Sequence, residues 1–190
     1  MYDIKDKKCI IFDLDGTLVS TQHANALAYI KAFSSVDVSF TSEEYEEYFG
    51  MGGPELVKKV APHLTDEEVK ELRELKSEYY KENFKLINLN LPLISFLKTI
   101  DKKTHSIALA TMAGKLNAHN LLTHFKLIDY FDYIVTRDDV SKSKPDPECL
   151  KKVMVNFNVE PSECIVFEDS DTGIQAAKNA GIDYIKIEMD

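Results

Sequence analysis

The sequence is poor in cysteine, in positive charge and in long apolar stretches. Its 190 residues include three cysteines, Cys9, Cys149 and Cys164, which lie far apart and form no CxxC pair of the kind that indicates zinc. The odd number of cysteines and a charged amino terminus without an apolar signal run predict a reducing, cytoplasmic environment. The longest apolar runs are far too short to span a bilayer.

Positive charge is scarce relative to negative charge. Lysine and arginine number 23 against 32 aspartates and glutamates, which gives a formal net charge of −9. This balance excludes a general basic surface for nucleic acid or an anionic membrane, so any anionic substrate must be bound locally. Hydrophobic residues make up 44% of the chain, enough for one core with a modest inserted domain.

Short apolar runs rich in isoleucine and valine alternate with helical patterns. The runs are typical of buried parallel strands and cover Cys9–Phe12, Ser106–Ala110, Tyr133–Val135, Cys164–Phe167 and Tyr184–Ile187. The later runs are separated by helical patterns at Lys115–Phe125, Pro147–Phe157 and Thr172–Ala180, the last closed by Gly181. This alternation predicts a doubly wound α/β sheet.

More than ninety residues separate the first two runs, several times the length of one strand–helix–strand crossover. The intervening stretch shows no convincing strand, and its helical patterns cover His23–Phe33, Glu43–Phe49, Pro54–Val60 and Thr65–Phe84. Thr65 and Glu68 predict a capping box at the start of the longest helix. We therefore predict an inserted helical domain at 20–86 and an α/β core at 1–19 and 87–190, in which Pro92–Ile100 is a helix.

Polar residues follow four of the predicted strands. The loops contain Asp13 to Thr17 after the first strand, Thr111 after the second, Lys142 to Pro145 after the third, and Glu168 to Asp171 after the fourth. Ligands of open α/β sheets bind beyond the carboxyl ends of the strands, so these four groups are expected to meet at one edge.

Such a cluster needs positive charge. Two carboxylates about 4 Å apart repel by roughly 4 kcal/mol at an effective dielectric near 20, and Asp13, Asp15, Glu168 and Asp169 would all converge here. A divalent cation offsets the repulsion, and Mg²⁺ suits a site of carboxylates, a backbone carbonyl, water and a substrate phosphate. Lys144 would add a second positive charge. This chemistry suits phosphoryl transfer.

The residues resemble a known family. The strings FDLDGTL (Phe12–Leu18), ALAT (Ala108–Thr111), KPDPE (Lys144–Glu148) and FEDSDTGIQAAKNAG (Phe167–Gly181) are similar, in order and spacing, to the four motifs of the haloacid dehalogenase-like superfamily. The helical insert resembles the cap of the subgroup that contains phosphoglycolate phosphatases and β-phosphoglucomutases. The resemblance implies a Rossmann-like core with a small helical cap.

The resemblance also implies a role for each motif residue. Asp13 would be the nucleophile that forms an aspartyl-phosphate, and Asp15 the general acid and base. Mg²⁺ would be held by the carboxylates of Asp13 and Asp169, by the backbone carbonyl of Asp15, and by Glu168 directly or through water. Thr111 and Lys144 would bind the phosphoryl group. The haloacid dehalogenases themselves lack the second aspartate, so Asp15 favours phosphoryl chemistry over carbon–halogen cleavage.

These features predict a Mg²⁺-dependent phosphatase of a small phosphorylated metabolite. One alternative is a sugar-phosphate mutase. The resemblance implies that the mutases use a histidine and a basic residue of the cap, whereas the corresponding positions of this sequence are Asn25 and Gly53, which disfavours a mutase. The other alternative is a non-catalytic binding protein. The complete set of Asp13, Asp15, Lys144 and Asp169 argues against it, because a silent relative has no physical need to keep such a repulsive cluster.

Several positions stay open at this point. His23 could face substrate, and Gly50, Gly52 and Gly53 fit either a substrate loop or a helix break. Ser170 fits either a turn or the site, and Asp171 is expected to cap the helix that follows it. The sequence identifies neither the substrate nor the oligomeric state.

Overall fold

The structure of the protein, a computed structural model, describes residues 4–49 and 51–189. The chain divides into two compact units: a core unit, which contains the residues up to Ser20 and those from Leu89 onward, and a helical unit, Thr21–Asn88. Gly50, one of the three glycines singled out above, lies outside the described residues.

The core unit contains a five-stranded parallel sheet. The strands are β1 (Cys9–Phe12), β4 (Ser106–Ala110), β5 (Tyr133–Val135), β6 (Cys164–Glu168) and β7 (Asp183–Lys186), in the order β5-β4-β1-β6-β7, whereas the short strands β2 (Val19–Ser20) and β3 (Asn88–Leu89) form a separate two-stranded sheet. All neighbouring strands of the large sheet are parallel. The predicted Rossmann-like α/β fold is confirmed.

Helices cover both faces of this sheet. They are α5 (Leu91–Thr99), α6 (Lys115–His124), α7 (Glu148–Phe157) and α8 (Asp171–Ala180). One set of alternate strand residues, with Ile11 and Val166 among them, packs in a cluster with apolar side chains of α7 and α8. Residues of the opposite parity point to the other face, where Phe12 stacks on Phe167 and Phe96 of α5 lies 5.5 Å from Phe167, ring centre to ring centre. Burial on both faces explains why the strands are continuous apolar runs.

The three cysteines belong to the α7 and α8 side of this core. Cys9 and Cys164 are register partners on β1 and β6, and Cys149 lies in the first turn of α7. All three are buried and free. They contribute to packing as small apolar side chains.

The helical unit consists of α1 (Gln22–Ser34), α2 (Ser42–Glu47), α3 (Gly53–Val60) and α4 (Asp66–Glu82). Its own core is rich in aromatic residues, with Tyr29 and Phe33 of α1 stacked at 6.0 Å. The predicted capping box of α4 is confirmed, because Thr65 and Glu68 exchange backbone and side-chain hydrogen bonds. Among the described residues, no helix has the length and apolar character that a bilayer crossing requires.

Candidate active site

The register of three central strands places the first site residues side by side. Phe12, the last residue of β1, pairs with Leu109 on β4 and with Phe167 on β6. The residues that follow these three are Asp13, Ala110 and Glu168, which therefore lie next to one another at the carboxyl edge of the sheet. The backbone N–H of Asp13 donates to the Phe167 carbonyl at 3.0 Å and fixes this arrangement.

Lys144 binds all three of these neighbours. Its Nζ donates to Asp13 Oδ1 at 2.6 Å, to Glu168 Oε2 at 2.7 Å and to the Ala110 carbonyl at 3.0 Å. Only 5% of the Lys144 side chain is exposed, with 8% for Asp13 and 1% for Glu168. The two ion pairs are therefore screened little by water and are held by three directed hydrogen bonds.

The fourth loop adds the carboxylate of Asp169, which is half-buried. Thr17 Oγ1 donates to Asp169 Oδ1 at 2.8 Å, which ties the loop after β6 to the loop after β1. Glu168, which precedes Asp169, accepts two hydrogen bonds from Ser170. Ser170 Oγ donates to Glu168 Oε1 at 2.7 Å, and the Ser170 backbone N–H donates to the same oxygen at 3.1 Å. Both acidic side chains are thus held by hydroxyl donors.

The electrostatics of the cluster show an excess of negative charge. Burial raises the pKa of Asp13 well above its usual range and the Glu168 carboxylate raises it further, whereas Lys144 opposes the shift. Burial also raises the pKa of Asp169 to about 6, against the hydrogen bond from Thr17. Burial would lower the pKa of Lys144, but Asp13 and Glu168 raise it above its usual value. One lysine does not neutralise these carboxylates.

The donor set fits a divalent cation. One carboxylate oxygen from each of Asp13, Glu168 and Asp169 lies within 4.8 Å of the other two. Oxygen ligands from two or three carboxylates, with room for water and a phosphate oxygen, match the preferences of Mg²⁺. A cation here would also relieve the charge excess that raises the pKa values of Asp13 and Asp169.

The other predicted site residues lie on the same loops. Asp15 is half-buried two residues after Asp13 and forms a bridge with Val19. Thr111 follows β4, where its N–H extends the ladder to Val135 at 2.9 Å and its Oγ1 accepts from the Ala113 N–H at 3.0 Å. The roles predicted for Asp15 and Thr111 stay predictions.

Three positions that the sequence left open lie in the helical unit. His23 is exposed in the first turn of α1. Gly52 is the N-cap residue of α3, and Gly53 is the first residue of that helix. The structure thus places both glycines at a helix start.

One expectation about the fourth loop is wrong. Asp171 does not cap α8: it is the first helical residue, and its side chain is 97% exposed. The N-cap is Ser170, whose Oγ accepts from the Gly173 N–H at 3.0 Å. Ser170 is also the Glu168 partner described above, a contact that sequence reasoning missed. Serine and aspartate are both favoured at an N-cap, so no signal in the sequence separates Ser170 from Asp171.

The fold agrees with the comparison to known proteins. A sequence model of the family described as haloacid dehalogenase-like hydrolase matches residues 10–187. The chain belongs to this family. The phosphorylated carbohydrates phosphatase of Thermotoga maritima is 33% identical over 183 residues, which are 94% of this chain and 83% of that relative.

This haloacid dehalogenase-like hydrolase is also similar to a named mutase and to a solved structure. The beta-phosphoglucomutase of Bacillus subtilis is 28% identical over 183 residues, 92% of this chain and 80% of that relative. The crystal structure of CbbY from Rhodobacter sphaeroides in complex with phosphate has a TM-score of 0.87 at 25% identity, and the match covers 97% of this chain and 87% of that one. Several relatives are named as phosphatases, and the family description is that of a hydrolase, so the chain is an enzyme of this hydrolase family.

Proposed function

We propose that this hydrolase removes the phosphoryl group of a small phosphorylated metabolite, such as a sugar phosphate, phosphoglycolate or a nucleotide, with Mg²⁺ as cofactor and Asp13 as nucleophile. The observation that carries the proposal is the contact of Lys144 with Asp13 at 2.6 Å and with Glu168 at 2.7 Å inside a group of three carboxylates. Phosphoryl transfer depends on positioning and on charge neutralisation, and this cluster provides groups for both.

In the first half-reaction, a carboxylate oxygen of Asp13 attacks phosphorus and the bond from phosphorus to the leaving oxygen breaks. The carboxyl group of Asp15 donates its proton to that oxygen, so the product leaves as an alcohol. Lys144 and the Thr111 hydroxyl bind the phosphoryl oxygens. Asp13 is held for this attack by the hydrogen bond from its N–H to Phe167 and by the contact with Lys144.

In the second half-reaction, the Asp15 carboxylate takes a proton from water as the water oxygen attacks phosphorus. The bond from phosphorus to Asp13 breaks, so inorganic phosphate leaves and the Asp13 carboxylate is restored. The carboxylates of Asp13 and Asp169, the backbone carbonyl of Asp15, and Glu168 directly or through water are proposed to hold Mg²⁺. When bound, Mg²⁺ would supply positive charge to the phosphoryl oxygens.

We further propose that residues 20–86 act as a cap over the core formed by 1–19 and 87–190. The compact helical unit Thr21–Asn88, with its own aromatic core, supports this proposal because such a unit can act as one body. Its task would be to exclude bulk water while Asp13 carries the phosphoryl group, and its loops would select the substrate. The place of action we propose is the cytoplasm, which three buried free cysteines support.

The test combines a substrate screen with one variant. Phosphorylated metabolites are assayed for phosphate release by kcat/KM, first with Mg²⁺ and then with a chelator. Asp13→Asn is expected to abolish turnover and the trapping of a phosphorylated protein with labelled substrate, while its far-UV circular dichroism is unchanged. Asp171→Asn is the control, because Asp171 is almost fully exposed at the start of α8. Metal-dependent hydrolysis by Asp13→Asn above a trace would remove Asp13 as nucleophile.

A sugar-phosphate mutase is the alternative, since one relative is named beta-phosphoglucomutase. Hydrolysis is favoured by Asn25, which stands at the position that resembles the mutases' cap histidine. Its side-chain amide cannot exchange a proton as imidazole does, and its Oδ1 accepts a hydrogen bond from the buried Lys76. An isomerised product after priming with a sugar bisphosphate would support the mutase.

A further inference from the structure

Two glycines lie directly against the carboxylates of the fourth loop. A Cβ atom at Gly16 would be 2.1 Å from Asp169 Oδ2, and a Cβ atom at Gly173 would be 2.0 Å from Glu168 Cδ. Gly16 also has a φ of +90°, in the region that favours glycine. Neither carboxylate could occupy its present place if these positions carried a side chain.

Each carboxylate also receives a hydroxyl hydrogen bond from the same short segments. Thr17, the neighbour of Gly16, is fully buried and donates to Asp169 Oδ1 at 2.8 Å. Ser170 donates to Glu168 Oε1 at 2.7 Å and accepts from the Gly173 N–H at 3.0 Å. The two halves of the cluster are therefore built alike: each carboxylate lies against a glycine and is fixed by a hydroxyl.

We infer that Thr17 and Ser170 are positioning residues that hold the Asp169 and Glu168 carboxylates in the geometry for cation binding before the cation arrives. The inference deepens the proposed function, because it rests on the same Mg²⁺ site. Like charges this close repel one another, so carboxylates without fixed donors would turn apart in the cation-free protein. Hydrogen bonds to metal-binding carboxylates typically change metal affinity by about 10- to 100-fold when they are removed.

The decisive comparison is between Thr17→Val and Thr17→Ser. Valine keeps the shape of threonine and loses the donor, whereas serine keeps the donor and loses a methyl group. The measurement is the Mn²⁺ dissociation constant of the substrate-free protein, by electron paramagnetic resonance or calorimetry. Thr17→Val is expected to bind Mn²⁺ about 10- to 100-fold more weakly than wild type, and Thr17→Ser to bind it nearly as well.

Ser170→Gly tests the second half of the cluster. Glycine lacks the hydroxyl but serves at a helix N-cap with little loss of stability. The variant therefore removes the hydroxyl contact with Glu168, keeps the backbone N–H contact at 3.1 Å and has no large effect on α8. A weakening similar to that of Thr17→Val is expected. The control is Thr65→Ala, which removes the N-cap hydroxyl of α4 in the helical unit and should leave Mn²⁺ affinity unchanged.

The outcomes distinguish failure of the positioning role from failure of the proposed metal-dependent function. If wild type binds Mn²⁺ and both Thr17→Val and Ser170→Gly bind it equally well, the positioning role is wrong and the proposed metal-dependent function stands. Equal weakening in Thr17→Val and Thr17→Ser would also overturn the inference, because the cause would then be packing. If wild type itself binds no divalent cation, the inference and the proposed cofactor fail together.

Discussion

Replacing Lys144 with methionine tests the charge balance of the site. The change keeps a long unbranched side chain and removes the cation that contacts both Asp13 and Glu168. Both carboxylates are at most 8% exposed, so water cannot take the place of the lost ammonium. The protein would retain a buried acidic group without its counter-charge.

The magnitude follows from the distances. Each ion pair has N···O contacts of 2.6 or 2.7 Å, so its charge centres are about 3 Å apart and the attraction is roughly 5 kcal/mol at an effective dielectric near 20. Part of this is offset because removal of Lys144 also removes its own desolvation. Loss of one partner from a buried pair typically costs about 3–5 kcal/mol of stability. We expect Lys144→Met to lower the free energy of unfolding of the metal-free protein by that amount at pH 7.5.

The loss should depend on pH in a defined direction. Lys144 lowers the pKa of Asp13, so without it the folded-state pKa of this carboxyl rises further above the unfolded value. A folded-state pKa above the unfolded one means that the folded protein binds the proton more tightly, so the free energy of unfolding rises as the pH falls. The difference in free energy of unfolding between wild type and Lys144→Met is therefore expected to be smaller at pH 5 than at pH 7.5.

The assay is urea unfolding in a chelator, followed by far-UV circular dichroism because the sequence contains no tryptophan. Lys142→Met is the matched control: Lys142 is 74% exposed and 3.5 Å from Asp146, and an exposed pair of this kind contributes about 0–1 kcal/mol. A Lys144→Met loss no larger than that of the control, at both pH values, would refute the reasoning.

Three further predictions concern other parts of the molecule. Asp15→Asn should lower kcat by about 10²- to 10⁴-fold, and an unchanged rate and pH profile would reassign the proton transfer. The rise in Tm on adding saturating Mg²⁺ should be larger at pH 7 than at pH 5. The reason is that the pKa of Asp169 is raised to about 6, so below pH 6 protons compete with the cation for this carboxylate. A rise in Tm that is independent of pH would argue against cation binding at Asp169. Thr65→Ala should lower the free energy of unfolding by about 1 kcal/mol through loss of the α4 N-cap, and no change in urea would show that this cap does not limit stability.

The sequence predicts three of the five strands of the large sheet to the residue and misplaces ends of the other two. β7, predicted at Tyr184–Ile187, spans Asp183–Lys186. β1, β4 and β5 have the predicted bounds, because each is an apolar run that ends at a polar residue. β6 extends one residue further, to Glu168, whose carbonyl accepts from the Ile187 N–H at 2.9 Å. A charged residue normally ends such a run, so local sequence cannot reveal a glutamate that is buried against a lysine from another loop.

In the candidate site, too, the sequence predicts some features and cannot predict others. The meeting of Asp13, Lys144 and Glu168 follows from the parallel sheet, since Glu168 ends one strand and the other two residues lie in loops after parallel strands. The Ala110 carbonyl that accepts from Lys144 leaves no sequence signal, because every residue has a carbonyl. The sequence does not identify the N-cap of α8, because Ser170 and Asp171 have similar capping propensity; the hydrogen bond from the Gly173 N–H to Ser170 Oγ distinguishes them.

The central position of β1 has a consequence for the motions of the site. β1 has a partner on both sides, whereas β5 and β7 are the edges of the sheet. Local opening of a sheet begins where amides lack a second neighbour, and the innermost strand exchanges its amide hydrogens only when the whole domain unfolds. Asp13 directly follows that strand, so we expect the proposed nucleophile to be anchored to a slowly exchanging segment of the enzyme. Adaptation to a new substrate can then proceed in loops without disturbing it.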